Sequence, residues 1–344
     1  MKNEIWKMKY GKWQRPLPDG RIQCGICPRG CRLAEGQAGF CFVRRRIKDR
    51  IELTTFGRTS GLALDPIEKK PLHHFLPGST VLSFGTPGCN LACRHCQNSE
   101  LSRARDLASA GVEAAPEEIA RIARREGAAS VAFTYNDPIV FHEYAIETAL
   151  ACRALGIRTV AVTSGYVNPG PRTEFYAVID AANVDLKSFD PDFYRRECGG
   201  ELAPVLDALR YLHAETAVWL EITTLLIPGL NDSDRELDRL SGWIAAELGP
   251  DVPLHFSAFH PAWRRRDRGR TPVESLRRGR ALARANGLRH VYTGNAPDPE
   301  GGRTLCPDCG AVLIERAGFA IIASRLTMAG RCPACGTVCA GIWA

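Results

Sequence analysis

Seven short runs rich in β-branched and aromatic residues recur through the middle of the chain: 79–85 (STVLSFG), 129–135 (ASVAFTY), 157–164 (IRTVAVTS), 183–189 (NVDLKSF), 218–227 (VWLEITTLLI), 253–260 (PLHFSAFH) and 289–295 (RHVYTGN). Several are apolar on both faces, as strands sandwiched between two layers are. Amphipathic stretches with a period near 3.6 follow most of them, including 116–127 (PEEIARIARREG), 139–155, 203–215 (APVLDALRYLHAE) and 273–287 (VESLRRGRALARANG). The strand-then-helix repetition predicts consecutive βα units around a parallel sheet. The expected fold class is therefore α/β, closed as a partial or full (β/α) barrel.

The chain is 344 residues long and 45% hydrophobic, enough to bury one large core with appendages. Composition shifts set the expected divisions: a cysteine-bearing head at 1–54, the barrel at 55–300, and a cysteine-bearing tail at 301–344 opened by DPEGG. The first 20 residues carry lysines but no apolar run, and nowhere do about 18 apolar residues follow one another without a charge. The expectation is a soluble, cytoplasmic protein without a membrane partner. Fourteen cysteines in such a compartment argue against a disulfide framework. Twelve sit in tight groups with metal-ligand spacing, whereas Cys152 and Cys198 are isolated and read as inert thiols.

Loops at the C-terminal ends of barrel strands carry the chemistry in this architecture, which singles out the polar residues just past each apolar run. These lie in TYNDP (134–138), TSGYVNP (163–169), DLKSFD (185–190), IPGLND (227–232) and FHP (259–261). After the first run comes GTPGCNLACRHCQN (85–98), with Cys89, Cys93 and Cys96 on one loop. A structural zinc or a fully ligated iron-sulfur cluster takes four protein ligands, so three thiolates leave one position open. A 4Fe-4S cube on these cysteines would expose its fourth iron to a chelating small molecule. The other reading is a zinc site completed by His95 or a distant residue.

The CxxxCxxC spacing directly after the first strand resembles the signature of the radical S-adenosylmethionine (SAM) enzymes, with His95 where an aromatic usually precedes the third cysteine. That resemblance implies that the open iron binds the amine and carboxylate of the methionine part of SAM, and that one electron cleaves the sulfonium to a 5'-deoxyadenosyl radical. It implies an electron donor such as flavodoxin or ferredoxin, and a catalytic set of Cys89, Cys93, Cys96 and Lys187. Asn136 and Asp137 stand where the superfamily holds the SAM amine. Asp185 and Lys187, two apart on the fourth run, resemble the DxK pair of glycyl-radical-enzyme activases, with Lys187 on the SAM carboxylate; a plain salt bridge is the alternative. Thr163, Ser164 and His260 match positions that reach the ribose or adenine, and Asn98 is placed to donate to a cluster sulfide or to SAM.

Over nearly its full length the chain resembles the radical SAM enzyme of the AmmeMemoRadiSam system, a family once grouped with pyruvate formate-lyase activating enzymes. The matching blocks run from LDPIEKKPLHHFLPGS (64–79) through VDLKSFD, LLIPGLNDS and HFSAFHP to CGTVCAGIW near the C-terminus. The resemblance implies hydrogen abstraction from an unidentified small molecule, nucleotide or partner protein, with other proteins of that system as partners. A glycyl-radical-enzyme activase is the alternative. Within 64–79, the expectation is either a solvated loop or a lid over the barrel mouth, with Lys69, Lys70 and His74 facing an acidic group on the substrate.

In the head, Cys24, Cys27, Cys31 and Cys41 make a closed four-ligand set that suits zinc, and equally an auxiliary iron-sulfur cluster. In the tail, Cys306, Cys309, Cys332 and Cys335 form two CxxC knuckles, the pattern of a zinc ribbon, with Cys339 as a bystander. The net charge of +7 includes arginine runs at 44–46 and 264–266, read as a solvated basic face. A basic zinc-ribbon protein that binds nucleic acid is the reading from another class, but neither run alternates with aromatic stacking residues, so nucleic acid is not expected.

Overall fold

The computed structural model describes residues 11–105 and 111–344. The first ten residues, part of the head segment and of the stretch read for targeting signals, lie outside the described residues.

All seven apolar runs form strands: β2 (Thr80–Phe84), β3 (Ser130–Phe133), β4 (Arg158–Thr163), β5 (Ala181–Asp185), β6 (Trp219–Leu226), β7 (Leu254–Ala258) and β8 (Val291–Gly294). They pair in chain order, every neighbour parallel, and β1 (Ala63–Pro66) adds an antiparallel edge beside β2. The sheet ends at β1 on one side and β8 on the other, so the barrel is partial. Helices return the chain between strands: α1 (Pro116–Arg125), α2 (His142–Ala154), α3 (Pro169–Tyr176), α4 (Ala203–Glu215), α5 (Asp234–Leu248) and α6 (Val273–Ala285). The local sequence explains their ends. In α1, Pro116 starts the first turn beside Glu117 and Glu118, while Arg124 and Arg125 sit at the C-terminal end, each sign of charge where the helix dipole favours it. In α5, the Ser233 hydroxyl accepts from the Glu236 N–H, a side-chain N-cap.

Successive strand residues point to opposite faces, and the two faces have different partners. Leu82, Val131, Phe133, Ala161 and Ala182 join the large core under the helices. Val81, Ala132, Val160 and Ala181 instead pack with Ile67, Leu72 and Phe75. The stretch 64–79 is therefore neither a solvated loop nor a lid. It begins as β1 and then plugs the barrel interior at the N-terminal ends of the strands. Lys69 alone of its three basic candidates is substantially exposed; Lys70 and His74 are buried.

The plug is fixed by Glu221, which is fully buried on β6. Its carboxylate accepts from the backbone N–H groups of His73 (3.0 Å) and His74 (2.8 Å) and from Trp219 Nε1 (3.0 Å), and faces His255 Nε2 at 2.6 Å. Burial alone would raise this carboxyl, but the His255 hydrogen bond and the surrounding donors outweigh it and hold the group at about 2. The tail seals the same end. Leu76 N–H donates to Ile342 O and Ile342 N–H to His74 O, both at 2.7 Å, and the buried Arg316 reaches His73 O at 2.7 Å. The tail has its own small core of Leu313, Ile314 and Cys306, Cys332 and Cys339 beneath a three-stranded antiparallel sheet.

Neither arginine run is simply a solvated face. Arg44 is buried and makes a two-armed ion pair with the equally buried Glu143, and Arg265 does the same with Glu197. Among the described residues, no helix is long and apolar enough to cross a membrane.

Replacing Glu221 by Ala strips four donors of their partner in one step and should cost about 3–5 kcal/mol in denaturant unfolding. Because the folded carboxyl is depressed, its stabilisation is present above the unfolded value near 4.5 and is lost as pH falls toward about 2. Subtracting the stability–pH curve of Glu221→Gln from that of wild type should isolate this acid step; coincident curves would contradict it.

Candidate active site

The three-cysteine loop is held by backbone geometry before any side chain acts. Gly85 and Gly88 face neighbours with no room for a Cβ: one on Gly85 would lie 2.3 Å from Thr134 O, and one on Gly88, at φ +90°, would lie 2.1 Å from Cys41 O. Further along, Ala92 N–H donates to Cys198 O and Arg94 N–H to Glu197 O, both at 2.8 Å, so the loop is laced to the segment after β5.

Cys89, Cys93 and Cys96 border a cavity of about 230 Å³ at the C-terminal ends of the strands. Asn98, Asn136, Asp137, Thr163, Ser164, Asp185 and Lys187 border it too, so one cavity gathers all the expected barrel residues except His260. His260 stands at the rim, its Nε2 3.3 Å from the carbonyl of Asn295, which does line the cavity.

The hydrogen bonds divide these residues into struts and free groups. Asn136 donates to Gly88 O (2.8 Å) and Thr86 Oγ1 (3.2 Å) and accepts from Thr86 N–H (3.1 Å), which fixes the start of the cysteine loop. Asp137 accepts from Ile139 N–H (3.0 Å), Ser164 N–H (2.9 Å), Thr163 Oγ1 (3.2 Å) and Ser164 Oγ. A carboxylate offers about four acceptor directions, and here all are taken within the protein. Burial still pushes the Asp137 carboxyl up. The Asn98 amide donates to Tyr135 O at 2.9 Å.

Lys187 is different. β5 ends at Asp185, four residues before the end of the apolar run, so the lysine stands just past the strand instead of alternating along it. Its Nζ lies 2.8 Å from Asp185 Oδ2. Burial works against its charge, but Asp185 and the nearby sulfurs of Cys93 and Cys198 more than compensate and raise it well above the ordinary lysine value.

Sequence reading set Cys198 aside, yet its sulfur lies within 4.8 Å of Cys93 Sγ and a His95 ring nitrogen. The Cys198 hydrogen bond lowers the Cys93 thiol. Cys198 is fully buried and does not border the cavity, so it stands behind Cys93 and leaves the open side free. Only the lacing of 92–94 to 197–198 brings it there. Tyr135, Thr223, Ser257 and Asn295 also line the cavity. Thr223 was legible in principle: it pairs with Asp185 in register and therefore shares its face.

A second group of thiols, able to hold a metal ion, occupies the tail. The sulfurs of Cys306, Cys309, Cys332 and Cys335 lie within 4.8 Å of one another, with Cys306–Cys335 at 3.5 Å and Cys309–Cys332 at 3.7 Å. Zn–S bonds of about 2.3 Å set the edges of a tetrahedral site at about 3.8 Å, so these four thiols are gathered as a single ion requires.

Residues 84–240, which span the cysteine loop and strands β3 to β6, match the Radical SAM superfamily. The chain is 39% identical to the uncharacterized protein MJ0808 of Methanocaldococcus jannaschii across 96% of this chain and 98% of that protein. The chain belongs to the radical SAM superfamily. It is also 26% identical to the pyruvate formate-lyase-activating enzyme of Clostridium pasteurianum, over 48% of this chain and 68% of that enzyme. A radical SAM methyltransferase from Sphaerobacter thermophilus shares the fold, with a TM-score of 0.50 at 17% identity over 64% of this chain and 68% of that one. Radical SAM membership implies a 4Fe-4S cluster and SAM, and the donor set fits: three soft thiols on one loop, open toward a cavity.

Asn136→Ala would leave Thr86 N–H and Gly88 O buried without partners, and should lower stability by about 1–3 kcal/mol, read as a shifted denaturant midpoint at constant slope. An unchanged midpoint would mean the loop is held without it. Wild type should retain about one zinc ion per chain on the four gathered tail thiols, and Cys309→Ala should lose it and melt at a lower temperature, as metal analysis and thermal unfolding of the purified variant would show; a wild type without zinc would contradict the reading of the tail.

Proposed function

We propose that this chain is a radical SAM enzyme that holds a 4Fe-4S cluster on Cys89, Cys93 and Cys96 and SAM in the adjoining cavity, and acts on a small molecule or nucleotide in the AmmeMemoRadiSam setting its sequence resembles. The observation that carries this reading is the convergence of three thiols and one ion-paired lysine on a single cavity at the strand ends. When bound, cluster and SAM supply a one-electron cleavage that yields a 5'-deoxyadenosyl radical able to abstract hydrogen.

The protein's own residues supply placement. Lys187 presents a fixed cation suited to the carboxylate of the methionine part, with Asp185 keeping it charged and oriented. Asp137 acts as a strut: it fixes the Thr163 and Ser164 hydroxyls, which border the cavity where a ribose or adenine would be read. Asn136 and Asn98 hold the loop. Leu91, Val162 and Leu225 give the cavity apolar wall, and Thr223, Ser257 and Asn295 on the later strands are assigned to the substrate side.

Two observations favour a second target, a glycine in a partner enzyme: the Asp185–Lys187 pair and the similarity to a pyruvate formate-lyase-activating enzyme. The head and tail exceed what a minimal activase needs, which favours the small-molecule version. The ion pairing of the buried Arg44 and the half-buried Arg265 removes part of the basic surface that a nucleic-acid-binding protein would use.

After anaerobic reconstitution with a strong reductant, wild type should release 5'-deoxyadenosine from SAM and Cys93→Ala should not; equal release by both would overturn the assignment. Cys198→Ala should retain release, because that thiol stands behind the loop, and its complete loss would make Cys198 a ligand. Lys187→Ala should weaken SAM binding by about ten- to a hundredfold, the worth of a charge-assisted hydrogen bond. A glycyl radical seen by electron paramagnetic resonance with a candidate partner enzyme would decide for the activase version.

A further inference from the structure

The head holds four cysteines that the activity above does not use. Cys24, Cys27, Cys31 and Cys41 ring a shared cavity, together with Phe40 and Arg44. Cys24 and Cys41 are buried, and Cys27 and Cys31 are half-buried. Four cysteines around one space invite two assignments, and the structure separates them by the spread of the sulfurs.

A single zinc ion needs its four sulfurs about 3.8 Å apart. The tail meets that requirement, with sulfurs at 3.5 and 3.7 Å. Among the described residues, the head cysteines do not: no three of them bring their sulfurs within 4.8 Å of one another. They stand back around a space instead of converging on a point. Four corner irons demand that arrangement, because each thiolate binds a different iron and the cube fills the centre. The same chain thus carries two four-cysteine sets with different geometries.

The surroundings agree. Phe40 N–H approaches Cys31 Sγ at 3.4 Å, a donor toward a bridging or terminal sulfur. Arg44 lies buried beside the cavity and is fixed by Glu143 and by Val140 O at 3.1 Å, so a positive charge faces the excess negative charge of four thiolates. The site is also tied to the barrel. Asn168 N–H donates to Ile26 O (3.0 Å) and its side chain to Gly25 O (2.8 Å), while Arg29 Nε donates to Asn90 O (2.8 Å). Asn90, which follows Cys89, lines the head cavity, and the Cys41 carbonyl rests on Gly88, which precedes it.

We propose that Cys24, Cys27, Cys31 and Cys41 bind a second 4Fe-4S cluster, fully ligated by protein, at the contact between the head and the three-cysteine loop. A second redox centre then stands beside the first, with Asn90 between them, and of the two four-cysteine sets only the tail has zinc-type geometry.

The test uses the full chain, purified anaerobically and reconstituted with iron and sulfide, with metals counted and the reduced protein examined by electron paramagnetic resonance. Wild type should hold about eight irons per chain and Cys24→Ala/Cys27→Ala about four. Should that variant fail to fold, the reciprocal one decides: Cys89→Ala/Cys93→Ala/Cys96→Ala leaves the head intact and should keep about four irons and a reduced-cluster signal that added SAM does not change. This readout is independent of SAM cleavage, so its failure would not be mistaken for failure of the radical SAM assignment. A triple variant without iron but with about two zinc ions, or a wild type that saturates at about four irons, would overturn the proposal.

Discussion

Close backbone approach around Gly85 and Gly88 is the constraint on which the site depends. A loop carrying three thiols toward one cavity must leave its strand at once, turn against the next strand end, and still receive the head on its outer side. Thr134 O and Cys41 O occupy the places where side chains would stand, so only glycine satisfies both contacts. Asn136 then bridges the turn from within. The rest of the loop is laced to 197–198, which sets Cys198 behind Cys93 and Lys187 beside both. One set of backbone contacts thus fixes which sulfurs face the cavity and which does not.

The floor of the cavity follows from the pleat. Asn183, Glu221 and His255 engage or face the plug, and the residues two further along the same strands, Asp185, Thr223 and Ser257, line the cavity. Two residues of strand span about 6.6 Å, so one step along the pleat separates a sealed, hydrogen-bonded floor from the reactive space. The tail reinforces the floor through Ile342 and Arg316, from the end opposite the mouth. Its cysteine knuckles therefore support the fold without crowding the cavity.

Charge is distributed by the same logic. The buried Arg44 and the half-buried Arg265 pair with the buried Glu143 and Glu197, and removing Arg44 or Glu143 would strand a buried charge. Burial keeps three histidines neutral, holding His74 at about 3, His95 at about 3 with help from Lys187 and Arg265, and His290 at about 4. Lys187 alone borders the cavity as a protected cation, which is why a carboxylate-bearing ligand is the natural occupant beside it.

The seven strands and their order were legible because a parallel sheet covered on both faces needs uninterrupted apolar runs, and each such run became a strand. The three-cysteine loop was legible because its ligands are local. The stretch 64–79 was misread because its charged and histidine residues look solvated; they are satisfied by Asp65, Glu221 and Arg316, of which the last two lie far away in the chain. Asn136 and Asp137 border the cavity as expected, but their bonds to Gly88 and Ser164 were not legible, since those partners come from other strand ends. Residue spacing alone determined that the chain folds as repeated βα units and groups its cysteines at ligand spacing, because period and ligand spacing are properties of short segments. Tertiary structure decided which cysteines converge to a point and which surround a space, and that Cys198 stands behind Cys93, because distances between sulfurs depend on loops that meet only after the chain has folded.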